Sequence, residues 1–232
     1  MRTDRRLFTI RKPSIIRRLG EAKNYAYRMS RRQTCMSSEF PALNFEQVPN
    51  TKWLHRIQLY LDRVHPILPI LSPARVIQSR KDTESLDQYG RCLQYAMWTI
   101  ATAFSSQFEK IRDKLYVTTR EMLDKLDFVE LDDSTHQVEP TQVWILVVYY
   151  EFIKTNYHRG WLSAGRLFRH IQMAELYNVD RATKACTSGI DTDPIIAEEK
   201  RRAFWLAYCL DRVISVCETM PLTLGEEVVS SH

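Results

Sequence analysis

From Asn50 onward the apolar residues return every three or four positions, and no stretch alternates with the two-residue period of a half-buried strand. Trp53, Ile57, Tyr60 or Leu61, and Val64 form one stripe. Pro66 and Pro69 end it, because proline has no N–H to give the helical ladder, so the first body helix should stop near His65. The spacing predicts a second helix from about Leu86 to Ser105, with Tyr89, Leu93, Met97, Ile100 and Phe104 on one face, and a third from Phe108 to Asp127 on Ile111, Leu115, Met122 and Leu126. Asp132 to Pro140 is a polar connection. Thr141 to Lys154 is apolar nearly all round, the mark of a helix at the centre of a core. Trp161 to Tyr177 turns Ala164, Leu167, Phe168, Ile171 and Ala174 inward and leaves Arg166, Arg169 and Gln172 for other duties. The loop Gly189 to Pro194 precedes a last helix, about Ile195 to Cys217, in which Phe204, Trp205, Tyr208, Val213 and Val216 read as core mass. The expectation is an all-α fold: an irregular multi-helix bundle without a repeat of fixed period.

At 232 residues and 44% hydrophobic content the chain can bury one sizeable core. Its charge of +5 is unevenly placed: residues 1–34 hold 11 Lys and Arg against 2 Asp and Glu, net +9, and the remainder is net −4. A body that grips nucleic acid by bulk charge is therefore not indicated. Residues 1–45 read as a basic, disordered tail. Arg5, Arg6, Arg11, Lys12, Arg17 and Arg18 are its candidates for nuclear import or nonspecific phosphate contacts, beside the readings of a mitochondrial presequence and of a merely solvated tail.

Several chemistries find no support. The five cysteines, Cys35, Cys92, Cys186, Cys209 and Cys217, are scattered and odd in number, with no C-x-x-C pair for a disulfide framework or a zinc site. Six histidines, His55, His65, His136, His158, His170 and His232, show no i, i+4 pair that could share a metal. Phosphate-cradling loops, nucleophile elbows and zinc-protease motifs are missing, and six glycines give little backbone freedom for them. No catalytic residue is assigned. Nothing resembles a secretory signal, and the most apolar run, Val143 to Tyr150, is too short to span a bilayer, so a soluble, intracellular chain is expected. One cluster stands out: Glu198-Glu199-Lys200-Arg201-Arg202-Ala203-Phe204-Trp205, then Tyr208 and Asp211-Arg212. Glu198 and Arg202 stand four apart and Tyr208 and Asp211 three apart, so by itself the cluster reads as a structural ion-pair network on one helix.

Four stretches together resemble a known family. They are Tyr60 to Leu71 with its His-Pro-x-x-Pro turn, Trp161 to Arg169, Glu199 to Arg212, and Met220 to Val228 with its Pro-Leu-Thr-Leu-x-Glu-Glu order. In this order and spacing they are similar to the fungal-specific transcription factor domain, the middle homology region behind the zinc binuclear cluster of fungal activators. The last stretch resembles members that sit beside secondary-metabolite gene clusters. The signature positions are Trp161, Gly165, Arg169, Arg202, Phe204, Trp205, Asp211, Arg212 and Pro221.

The resemblance implies a nuclear transcription regulator without enzyme activity, built as a tail over 1–45 and a partial regulatory domain over 50–229. It also implies protein partners or a homodimer, DNA reached through a partner, and no membrane. The six-cysteine zinc motif is not present in these residues, so no cofactor is expected here, zinc belonging to full-length relatives. Relatives continue past Glu226-Glu227 into further helices. The bundle is thus expected to be truncated at its C-terminal end, to expose apolar surface and to self-associate. A non-DNA-binding remnant, a dimerisation module, and a helical mitochondrial protein or enzyme remain as alternatives.

Overall fold

A computed structural model describes residues 50–78, 87–104, 108–126, 138–155, 157–179, 193–218 and 220–225, with backbone alone over 50–56. The basic tail with Arg5, Arg6, Arg11, Lys12, Arg17 and Arg18 lies outside the described residues, as do Cys35, Cys186, the loop from Gly189 and the Glu226-Glu227 pair.

Every regular element among the described residues is helical: α1 (Asn50–Arg63), α2 (Pro73–Gln78), α3 (Gln88–Ala103), α4 (Glu109–Leu126), α5 (Glu139–Lys154), α6 (Tyr157–Met173), a 3₁₀ turn (Leu176–Asn178) and α7 (Pro194–Glu218). Their ends follow local chemistry. After α1 the chain closes a turn through Val64 and Leu68 N–H groups donating to Tyr60 and Val64 carbonyls, and Pro66 prevents a further helical turn. Asp87 caps α3 by accepting from Gly90 N at 2.7 Å. Asp193 does the same for α7 through Ile195 N at 2.9 Å, with Pro194 as the first helical residue.

α5 is the axis. It packs against α3, α6 and α7, while α3 also holds α1 and α4. Val143 through Val148 are all buried, and Trp144 and Tyr150 rank among the largest fully enclosed side chains. The all-round apolar reading of this segment is thus borne out: a helix surrounded on several sides has no face left for polar residues.

Two expectations need correction, and one helix has no signal in the sequence. α2, at six residues, is too short to show a periodic stripe. The helix expected over Trp161 to Tyr177 begins at Tyr157 and ends at Met173, where Glu175 turns left-handed at φ 46° and a 3₁₀ turn follows. In α7, Phe204 is core as expected, but Trp205 and Val216 face outward at 45% and 51% exposure, and Ala203, Ala207, Leu210 and Ile214 fill the interface instead.

Because α5 is enclosed on several sides, little can collapse around a deletion in it. Leu146→Ala should destabilise the domain by about 2–5 kcal/mol, measured by chemical denaturation with an unchanged slope.

Candidate functional site

Three carboxylates lie inside this apolar array: Glu151, Glu199 and Asp211, each 1% exposed or less. A buried charge must be met by donors or it costs several kcal/mol. In each case an arginine and further donors answer it.

Glu199, in the second turn of α7, gathers three distant parts of the chain. It accepts from Ser72 N at 2.7 Å, from the Arg75 guanidinium at 2.5 Å and from Gln142 Nε2 at 3.0 Å. Gln142 also donates to the Ile70 carbonyl at 3.3 Å, and Arg75 makes a second ion pair with Glu139 at the start of α5. Burial works against the charge on Arg75, but Glu139 and Glu199 outweigh it and hold the guanidinium above its usual value. Tyr60, fully buried beside this group, is pushed up by burial and then by the charge of Glu199.

Next to it, on the outer side, Glu198 accepts from Arg202 Nε at 2.8 Å and from Arg201 at 3.2 Å; the Arg202 hydrogen bond is the main reason its carboxyl is held below the usual range. Arg202 also donates to the Pro69 carbonyl at 3.3 Å. Burial and then the Arg202 charge hold the His65 imidazole low. The His-Pro-x-x-Pro turn and the Arg-Arg segment, far apart in sequence, are therefore one junction.

Asp211 makes the second clamp. It accepts from Thr223 N at 3.0 Å and Leu224 N at 2.8 Å, and its neighbour Arg212 bonds it at 3.2 Å and donates to the Leu224 carbonyl at 2.8 Å. The Arg212 guanidinium carbon lies 3.4 Å from the Tyr208 ring centre, stacked on the ring face. Leu224 is fully buried as a result. The Asp-Arg pair is thus the receptor for the Pro-Leu-Thr-Leu segment, pinning residues 221–225 to α7.

Glu151 makes the third. Tyr116 of α4 donates to it at 2.6 Å, Arg120 approaches at 3.6 Å and Arg159 of α6 at 3.9 Å. Arg120 and Arg166 both lie against the buried Trp144 ring, at 5.3 and 5.5 Å, and Arg166 pairs with Asp124 at 3.2 Å. This group joins α4, α5 and α6.

The structure therefore brings Arg202, Phe204, Asp211, Arg212 and the Pro221 segment into the α7 junctions. It does not bring Trp161, Gly165 and Arg169 there: they line the outer face of α6, exposed, with Arg169 bonded to Gln172 at 3.0 Å. Sequence reading missed Glu151, Gln142, Arg75 and Tyr116 as network members. The only available signal was a charged or amide residue inside an otherwise apolar run, at Gln142 and Glu151 of α5.

A cleft of about 160 Å³ opens over the Arg75–Glu139 pair, walled by Ile57, Leu71, Val76, Leu93 and Met97. Among the described residues no cluster of His, Cys, Asp and Glu could hold a metal, and no helix is long and apolar enough to cross a membrane. Cys92 is buried, and Cys209 and Cys217 are exposed thiols.

These features define a helical scaffold domain whose polar interior is given over to joining its own elements. The chain belongs to the fungal-specific transcription factor domain family, whose model spans residues 57–229. It is 46% identical over 179 residues to the pigment biosynthesis transcriptional activator pigB of Monascus ruber, covering 76% of this chain and 32% of that protein. It is 39% identical over 201 residues to the transcription factor tazR of Aspergillus terreus, covering 87% and 31%, and 44% identical over 167 residues to the tropolone cluster transcription factor tropK of Talaromyces stipitatus, covering 72% and 29%. The chain spans about a third of the length of these curated relatives. No solved structure matches it.

Two substitutions test the junctions. Glu199→Leu leaves the Ser72 N–H without its acceptor, takes one of two acceptors from the Gln142 amide and one carboxylate from Arg75, and should cost about 3–5 kcal/mol, read as a fall in thermal midpoint. Asp211→Asn keeps the shape but loses one acceptor and the charge facing Arg212. Hydrogen exchange at the Thr223 and Leu224 amides should quicken, with a loss of about 1–3 kcal/mol, whereas Trp205→Ala on the exposed side should cost less than about 1 kcal/mol.

Proposed function

We propose that the chain is the regulatory body of a nuclear transcription regulator governing a fungal secondary-metabolite gene cluster. The observation that carries this is its membership of the family together with similarity, at 46% and 44% identity, to regulators named for pigment and tropolone clusters. The architecture agrees with that role. Its buried charges are spent on locking helices together, and a domain so built acts by holding and presenting a surface rather than by chemistry on a substrate.

DNA is reached through a partner or a homologous zinc-cluster protein. The net −4 body offers no strong electrostatic footprint for phosphates, and the tail with Arg5, Arg6, Arg11, Lys12, Arg17 and Arg18 supplies import or weak backbone contacts. The domain boundaries that fit this role are a basic tail over 1–45 and a regulatory body over 50–229, with Trp161, Gly165, Arg169, Arg202, Phe204, Trp205, Asp211, Arg212 and Pro221 as its structural signature.

Chromatin immunoprecipitation of the tagged chain should recover promoters of one biosynthetic gene cluster, and deletion of its gene should change transcript levels of that cluster. Absence of occupancy at every such promoter, direct or through a partner, would reject the reading.

A further inference from the structure

The outer face of α6 is the largest part of the family signature that the fold itself does not use. α6 contains three arginines and two histidines and not one Asp or Glu in its 17 residues. Leu162 and Met173 stand out from it at 54% and 72% exposure, and Trp161 is also exposed. Between them lies Gly165, one turn from Trp161 on one side and from Arg169 on the other. A Cβ at Gly165 would meet nothing within 4 Å. Glycine inside a helix weakens it relative to alanine, and here no neighbour among the described residues requires the missing side chain. A notch with no internal reason, set among exposed apolar side chains, is the shape left for the close approach of another backbone.

We propose that the outer face of α6 docks an acidic, amphipathic helix of a partner protein, which crosses over Gly165. Its apolar stripe covers Trp161, Leu162 and Met173, and a carboxylate of it meets Arg169, while Arg166 stays with Asp124. From Trp161 to Met173 the face runs about 18 Å along the helix, enough for about three turns of such a partner. The charge decides the class: a face without a carboxylate on its own helix favours an acidic peptide over a basic one. The apolar side chains decide against nucleic acid. A phosphate backbone leaves Leu162 and Met173 wet, and Arg166 is already answered by Asp124 at 3.2 Å. This surface stands apart from the regulatory reading above, so failure of either leaves the other in place.

The test uses the full chain and a labelled synthetic 20-residue peptide of Glu, Asp, Leu and Phe, with the apolar residues at i, i+3, i+4 and i+7. Controls are its scrambled form, a basic peptide of the same pattern, and a 20-base-pair DNA duplex. Fluorescence anisotropy should show saturable binding of the acidic amphipathic peptide alone. Leu162→Glu and Arg169→Glu should each weaken it at least tenfold with the thermal midpoint unchanged. Gly165→Leu should weaken it similarly while leaving the midpoint equal or raised, a combination that a merely structural glycine does not give. No saturable binding, equal binding of the scrambled peptide or of the duplex, or variants that bind as the parent does would each overturn the proposal.

Discussion

The burial of one carboxylate, Glu199, sets the terms for the rest of the fold. At 1% exposure it has exchanged water for three donors drawn from the α1–α2 turn, from α2 and from α5. Those donors meet only when all of these elements are in place, so the cost of leaving the charge bare makes their assembly cooperative. Twelve residues further along α7, about 18 Å on, Asp211 repeats the arrangement with the chain that follows the helix. Between the two clamps Ala203, Phe204, Ala207 and Leu210 lie buried on the core side. α7 is thus held electrostatically at two points, with an apolar seam in the middle.

The carboxylates and their partners are not equally deep. Glu151, Glu199 and Asp211 are enclosed, whereas Arg75, Arg120 and Arg212 keep 34%, 15% and 22% of their side chains exposed. Arginine suits this position because its planar fork bonds several acceptors at once while its stem covers apolar surface and part of its head stays in water. Trp144 shows the same economy from the other side: fully buried, it meets Arg120, which also donates to the buried Ser163 hydroxyl, and Arg166, which continues outward to Asp124. Part of the ion-pair cost is avoided by leaving the cations at the boundary.

Helical periodicity made most of the architecture legible. The helices centred on Leu93, Leu115, Leu146 and Leu167 follow directly from apolar spacing, and Pro66 marks a helix end; Pro194, assigned to the loop by its sequence, is instead the first residue of α7. Legibility failed where the deciding contact is long-range. Trp205 looks like core in the sequence because it is large and apolar, but Ala203 and Ala207 are the buried positions, and helix geometry then turns residue 205 outward. α6 ends at Met173 because the chain turns left-handed at Glu175 and passes into a 3₁₀ turn that buries Leu176, a change the local sequence does not announce. Arg202 and Asp211 were visible as a charged cluster. Glu199 belongs to the same cluster, but its partners are not visible there, since Ser72, Arg75 and Gln142 lie 57 to 127 positions away.

The residues that carry the family resemblance divide in a way that the fold explains only in half. Phe204, Asp211 and Arg212 are engaged in packing or in the clamp on residues 221–225, and Arg202 reaches the Pro69 carbonyl. Among the described residues Trp161, Gly165 and Arg169 contribute to neither core nor clamp, although the same helix is held from within, through Leu167, Ile171 and the Arg159 approach to Glu151. A helix fixed on its inner side keeps its outer side chains in one arrangement without further help, so whatever meets that face finds it already ordered. In a domain whose buried carboxylates Glu151, Glu199 and Asp211 bind its own elements to one another, such a preformed exterior is where specificity can reside.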